Sequence, residues 1–248
     1  AILAVHNSKY FSRLKNLELT KKEERVSGFP LSQALVDREQ IIADGTIKAC
    51  DQALKNGIAM NSAGGTHHAF SNRAEAFCLL NDQAIGARYL QNKALAEKIL
   101  IVDLDVHQGN GTAEIFKNDH SVFTFSMHGK GNYPFRKEKS DLDIELEDGT
   151  KDKAYLEKLK SILPALIEKT KPDFIFYLCG VDILETDKLG RLSCSINGCK
   201  ERDRFVLQTC KDLQIPVECS MGGGYSQEIK YIVEAHANTY RLAQEIFF

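Results

Sequence analysis

"KILIVDLDVHQGNG", residues 98–111, joins a wholly apolar run to a cluster of ionisable side chains. Ile99, Leu100, Ile101 and Val102 are apolar without a break, as in a strand buried on both faces of a parallel sheet. Asp103, Asp105 and His107 then alternate with Leu104 and Val106, so a continuing strand would present all three on one face. A helix-capping aspartate beside an incidental histidine is the bland alternative. Three polar residues at period two, ending a buried strand, speak against it. An aspartate and a histidine two apart at a strand end suit one divalent metal ion.

Similar β-rich runs stand at 57–62 (GIAMNS), 121–128 (SVFTFSMH), 173–180 (DFIFYLCG) and 215–224 (IPVECSMGGG). Segments with helical spacing lie between most of them, over 32–56, 81–94, 153–169, 198–213 and 226–247. Strands alternating with helices of this length predict an α/β fold, with a mainly parallel central sheet covered on both faces. No repeat or Pro/Gly-rich linker divides the 248 residues, so 1–248 is expected to be a single domain. The polar motifs follow the strands: the His-His pair, DLDVHQGNG, SMHGKGNYPF, GVDILETD and GGGYSQE. In open α/β sheets the carboxyl ends of strands form the ligand crevice, and loops converging there predict one site.

The composition narrows the function classes. Hydrophobic residues make up 43% and charged residues 27%, which suits a globular chain with a sizeable core. A formal net charge of −2 with mixed signs offers no electrostatic grip on nucleic acid, so no direct nucleic-acid binding is expected. No apolar run approaches the roughly 20 residues that span a bilayer. The seven cysteines never form a C-x-x-C pair, which argues against a disulfide framework or a zinc knuckle. Reduced, mostly buried thiols in a cytoplasmic setting are expected, or a nuclear one if the source is eukaryotic.

Three further stretches carry chemistry. In GVDILETD, Asp182 lies just past the apolar strand FIFYLC, where a carboxylate is costly unless paired or bound to metal. Asp105, His107 and Asp182 would leave open positions for water and substrate, as a catalytic metal requires. Asp187 reads instead as a solvated turn residue beside Lys188. In GGGY, three glycines could cradle a phosphate, but no Lys-Ser/Thr follows and the dinucleotide spacing is absent. The other reading has the flexible glycines let Tyr225 swing toward the metal and donate to an oxyanion. GGTHHAF, residues 64–70, places His67 and His68 side by side behind glycines able to make the turn a paired function needs.

Together these stretches resemble the histone deacetylase family, of the arginase/deacetylase fold. GGTHHAF, FCLLND, DLDVHQGNGTAEIF, SMH with a following YP, GVDILETDKLGRLS and GGGY occur in the family's order over residues 64–225. GVDILETDKLGRLS and the spacing around DLDVHQGNG look most like the class IV branch. The resemblance implies a three-layer α/β/α domain and makes Asp105, His107 and Asp182 zinc ligands, with iron(II) an alternative ion. It makes His68 the general base on the metal-bound water. His67 becomes its electrostatic partner and helps protonate the leaving amine, with Asp103 orienting His67. Tyr225 matches the tyrosine that polarises the acyl carbonyl. Phe77 and Tyr133 match aromatic walls of a tunnel for the lysine stem, Leu189 an apolar rim residue, and Gly223 is grouped with the substrate contacts. Asp103, Ser126 and the carbonyls of Asp105, His107 and Met127 match a potassium site.

Two departures follow. Asn110 stands where class I members carry an aspartate partner for the base, so His68 should be less basic. The family also has a segment ahead of the point where this chain begins, so an N-terminal element is expected to be absent. The resemblance implies a zinc-dependent hydrolase that removes acetyl or longer acyl groups from N-acyl-lysine in a protein or peptide. Deacylation of small amines such as acetylpolyamines is an alternative on the same scaffold. A dimanganese ureohydrolase would need a D-x-D pair that VDILETD lacks. A non-catalytic acyl-lysine binding module would not need His67, His68 and Tyr225 together.

Overall fold

Burial on both faces explains why the central strands form. In the computed structural model, which describes residues 1–248, Ile99–Asp103 (β2) and Phe174–Leu178 (β5) are buried at every position. Leu100 and Val102 point into one core and Ile99 and Ile101 into another on the opposite face, because successive strand side chains alternate. Ile58–Asn61 (β1), Val122–Gly129 (β3), Leu142–Leu146 (β4) and Val217–Ser220 (β6) complete a six-stranded sheet. Its order is β1-β6-β5-β2-β3-β4 and every pairing is parallel.

Helices cover both faces. Asp152–Thr170 (α6), Ile196–Asp212 (α7) and Ile229–Phe247 (α8) bury Leu159, Val206 and Leu242 against the larger core. Gln33–Asn56 (α3) and Asp82–Asn92 (α4) lie on the other face, where Cys50, Ala53 and Ala84 meet Phe174 and Phe176. Ser32 caps the start of α3, and Gly57 ends it in the left-handed region at φ +84°. The three-layer α/β/α arrangement in a single α/β domain matches the expectation.

Three α-helices and one strand were not anticipated. Ser8–Lys15 (α1), Lys21–Ser27 (α2) and Asn110–Phe116 (α5) are short, and their hydrophobic periodicity spans barely two turns. The edge strand β4 reads LDIEL and is half exposed, so it lacks the apolar run that marks the others.

The connections place the functional crevice. From β2 the chain passes to β3 on one flank, whereas from β5 it passes to β6 on the other. The direction of winding therefore reverses between β2 and β5, and a cleft opens at their carboxyl ends. Asp105 and His107 follow β2 and Asp182 follows β5, so all three fall at this switch point.

Candidate active site

Turns made by aspartate side chains build the floor of the site. β2 stops at Asp103 instead of running on to His107. Asp103 Oδ1 accepts the Asp105 N–H at 3.2 Å, and Asp105 Oδ1 accepts the His107 N–H at 2.9 Å. Aspartate favours such turns, hydrogen-bonding the backbone two residues on. The single face expected of a continuing strand is therefore split. Asp103 turns to His67, while Asp105 and His107 gather with Asp182. Beneath them the buried Arg202 of α7 donates to the carbonyls of Leu104 at 3.2 Å, Cys179 at 3.2 Å and Gly180 at 2.6 Å. Its charge is balanced by Asp203 at 2.8 Å.

The cluster of Asp105, His107 and Asp182 fits a divalent ion. One ligand atom from each of Asp105, His107 and Asp182 lies within 4.8 Å of the others, and all three residues are buried. His107 Nδ1 stands 3.0 Å from Asp105 Oδ1 and 3.1 Å from Asp182 Oδ2. Ligands of a tetrahedral ion with bonds of ~2.0–2.1 Å lie about 3.3 Å apart, so small movements would seat one. The electrostatics point the same way. Burial alone would lower His107, but its hydrogen bonds to the two carboxylates outweigh this and bring it to about 10. Burial, reinforced by the charge of Asp105, raises Asp182 to about 7. Protons thus stand where a divalent charge would satisfy both carboxylates.

The histidine pair is held from behind. Gly65 adopts φ +99°, and a Cβ there would meet the Gly222 backbone at 2.7 Å. Asp82, opening α4, accepts the Gly65 N–H at 3.0 Å, the Thr66 N–H at 2.8 Å and the Thr66 hydroxyl at 2.6 Å. The loop delivers His67 and His68 as neighbouring rings, tilted by 44° with centroids 4.1 Å apart. His67 Nδ1 donates to Asp103 Oδ2 at 2.7 Å, and His68 Nδ1 donates to Asn110 Oδ1 at 2.7 Å. Burial would lower His67, but Asp103 and Asp105 prevail and raise it to about 9. Burial and the adjacent His67 push His68 well below its usual value, against the pull of Asn110.

Above the histidines opens a cavity of about 420 Å³, lined by His68, His107, Phe77, Tyr133, Leu189 and Tyr225 among others. Tyr133 meets the His68 ring edge-on at 5.2 Å, and Phe77 packs edge-on against Phe29 at 5.4 Å. A second cavity of about 400 Å³ adjoins it, lined by Thr66, His67, Cys78, Gly222 and Gly223. The glycines of GGGY serve close approach rather than freedom of movement. Gly223 N–H donates to Asp105 Oδ2 at 2.9 Å, and a Cβ there would lie 2.2 Å from Asp182 Oδ2. Asp187 is no ligand and no idle turn residue. Its carboxylate accepts the N–H groups of Leu189, Gly190 and Tyr225 at 2.8, 2.8 and 2.6 Å, anchoring rim and tyrosine together.

The residues matched to potassium are neighbours. Asp103 and Ser126 are register partners at the ends of β2 and β3, and Met127 follows Ser126. The Ser126 hydroxyl shares a hydrogen bond of 2.9 Å with His128 Nδ1. Sequence reasoning missed Asp82, Glu75 and Arg202. Asp82 stands in the quoted FCLLND, but its partner loop is sixteen residues away. Glu75 accepts from Asn110 Nδ2 at 2.8 Å and from the Tyr133 hydroxyl, contacts across 35 and 58 residues that no local spacing reveals.

Comparisons with known proteins point to one family. The family described as "Histone deacetylase domain" matches residues 1–240. The chain is 45% identical over 243 residues to an uncharacterized protein of Picosynechococcus sp., covering 98% of this chain and 81% of that one. It is 28% identical over 241 residues to histone deacetylase 2 of Arabidopsis thaliana, covering 94% of this chain and 62% of that one. Among solved structures it resembles a histone deacetylase homolog complexed with SAHA, with a TM-score of 0.81 and 26% identity over 98% of this chain and 69% of that one.

Proposed function

The chain belongs to the histone deacetylase family, and from that premise we propose that it hydrolyses the amide of an N-acyl-lysine in a protein or peptide. The observation that carries the reading is one convergence. Asp105 and His107, two histidines with separate partners, and Tyr225 all border adjoining cavities at the sheet's switch point, with Asp182 fully buried directly behind Asp105 and His107. Asp105, His107 and Asp182 would hold zinc, an ion suited to mixed nitrogen and oxygen donors with a position left open. When bound, it supplies polarisation of the acyl carbonyl and of a water molecule.

The chain's own groups do the rest. His68, neutral because its basicity is depressed, has Nδ1 committed to Asn110 and Nε2 free to take a proton from water. His67, held cationic by Asp103, stabilises the developing negative charge and gives its proton to the departing amine. Burial keeps the Tyr225 phenol protonated, so it donates a hydrogen bond to the oxyanion. Phe77, Tyr133 and Leu189 line the path of the lysine stem, and the second cavity offers space beyond the histidines for the acyl group. Asp103, Ser126 and the neighbouring carbonyls would take potassium as a structural ion. A panel of acyl-lysine peptides of increasing acyl length, assayed with and without chelator, tests the proposal. Chelator-sensitive release of free lysine is expected. Failure to cleave any of them with metal loaded would overturn it.

A further inference from the structure

The mouth of the larger cavity carries a charge that the hydrolytic groups do not need. Among its fourteen lining residues are two arginines, Arg25 and Arg191, and no aspartate or glutamate. Arg25 is exposed near the end of α2, and the carboxylates of that helix are already engaged, Glu23 by Arg13 and Glu24 by Lys21. The backbone of α2 is tied to the tunnel wall, because the N–H groups of Ala76 and Phe77 donate to the carbonyls of Val26 and Ser27. The Arg25 backbone is therefore held at the rim. Arg191 lines the same mouth from the loop that carries Leu189, where it meets Asp148 at 3.2 Å. Both members of that pair are more than half exposed, so it is weak and readily exchanged for another carboxylate.

The neighbouring acids are occupied and the neighbouring bases add to the bias. Glu75 accepts from Tyr133 and Asn110, and Asp187 accepts three backbone N–H groups. On the loop after β3, Lys137 Nζ donates to the carbonyls of Asn132 and Pro134, and Arg136 is exposed. Between the arginines the wall is apolar, with Phe77, Phe135 and Leu189 all exposed. A peptide crossing this mouth meets guanidinium groups that pair well with carboxylates and an apolar wall that repays no charge.

We propose that the mouth selects an acyl-lysine flanked by acidic residues, and rejects lysine-rich segments and free polyamines. This rests on the deacylase reading above and names its substrate class. Cationic substrates meet like charge at the rim, and that repulsion is what discriminates. The selection acts on capture, so it appears in KM and Kd and weakens with salt.

The test uses the zinc-loaded full chain and three peptides of one length with a central acetyl-lysine, flanked by Glu, Gln or Lys, together with an N-acetylated diamine. Binding by fluorescence anisotropy is read beside turnover, so a protein that cleaves none of them still reports its preference. Acidic flanks should bind on the order of 3–10-fold more tightly than basic ones, two exposed ion pairs being of that size. The double substitution Arg25→Glu with Arg191→Glu should reverse the order. Equal Kd for all three peptides, an order that the double variant leaves standing, or an N-acetylated diamine that outcompetes the acidic peptide would overturn the proposal. Loss of turnover on every peptide with the binding order intact would instead count against hydrolysis.

Discussion

The His67 and His68 rings lie 4.1 Å apart, yet their surroundings drive their basicities in opposite directions. The division follows from the partner each Nδ1 finds. His67 faces the carboxylate of Asp103, and His68 faces the neutral amide of Asn110. One ring is set to hold a proton and the other to accept one, which is how adjacent groups take separate acid and base roles.

The asparagine has a physical reason to be there. Asn110 Nδ2 donates to Glu75 at 2.8 Å, so a carboxylate at position 110 would face another one. The single substitution Asn110→Asp should therefore trap a shared proton and lower turnover. Combined with Glu75→Gln, the new carboxylate stands free and raises the basicity of His68. A base must be deprotonated to act, so the acid limb of kcat/KM, set below pH 6.5 by the depressed His68, should move to higher pH in the double variant. A profile with an unmoved acid limb would remove Asn110 from control of the base.

Metal content separates the two aspartates of GVDILETD. On the proposed ligand set, Asp182→Ala removes one of three metal-binding side chains, and bound zinc by elemental analysis should fall sharply. Asp187→Ala should leave metal content near that of the parent and instead lower kcat, because it frees the Tyr225 backbone and the Leu189 rim. Equal zinc in Asp182→Ala and the parent would remove Asp182 from the ligand set.

How much of this was legible in sequence depends on how local each signal is. β2 and β5 announce themselves because Ile99–Val102 and Phe174–Leu178 are apolar on both faces, whereas half-exposed β4 has no such signature. The cluster of Asp105, His107 and Asp182 could be read because each follows within four residues of a buried strand. The loop geometry could not, since alternation from Asp103 to His107 fits a strand and a pair of aspartate turns equally well. Partners such as Glu75 and Asp82 act across loops, and only the folded chain brings them to Asn110 and Thr66. An arginine in the middle of α7 reads as solvent-facing, yet Arg202 is the largest fully buried side chain.

That arginine supports a stability prediction. Arg202 and Asp203 are both fully buried, and removing one partner leaves the other charge uncompensated. Arg202→Ala should cost about 3–5 kcal/mol, since three carbonyls at the ends of β2 and β5 also lose their donor. Two positions along the same helix, Arg204 pairs with Glu245 at 2.8 Å on the surface. Arg204→Ala should cost no more than about 1 kcal/mol. Urea unfolding of the two variants beside the parent decides it, and equal losses would show that Arg202 carries no special burden.

Tyr225 is where a chemical role and a packing role diverge most clearly. Its backbone is anchored by Asp187, its ring stands 6.4 Å from His107 and 6.5 Å from Phe77, and it borders both cavities. If the hydroxyl steadies the oxyanion, Tyr225→Phe deletes one hydrogen bond that strengthens in the transition state. Such a donor typically contributes ~10²–10³ in turnover, or roughly 3–4 kcal/mol of barrier. The ring remains, so folding, zinc content and capture of the lysine stem should change little, leaving the loss in kcat rather than KM. A tyrosine that only packs gives the reverse, with near-normal kcat and at most a modest fall in Tm. Kinetics and thermal midpoint measured on one acyl-lysine peptide, with metal content confirmed for both proteins, separate the two. Turnover within a few-fold of the parent would take the phenol out of the chemistry.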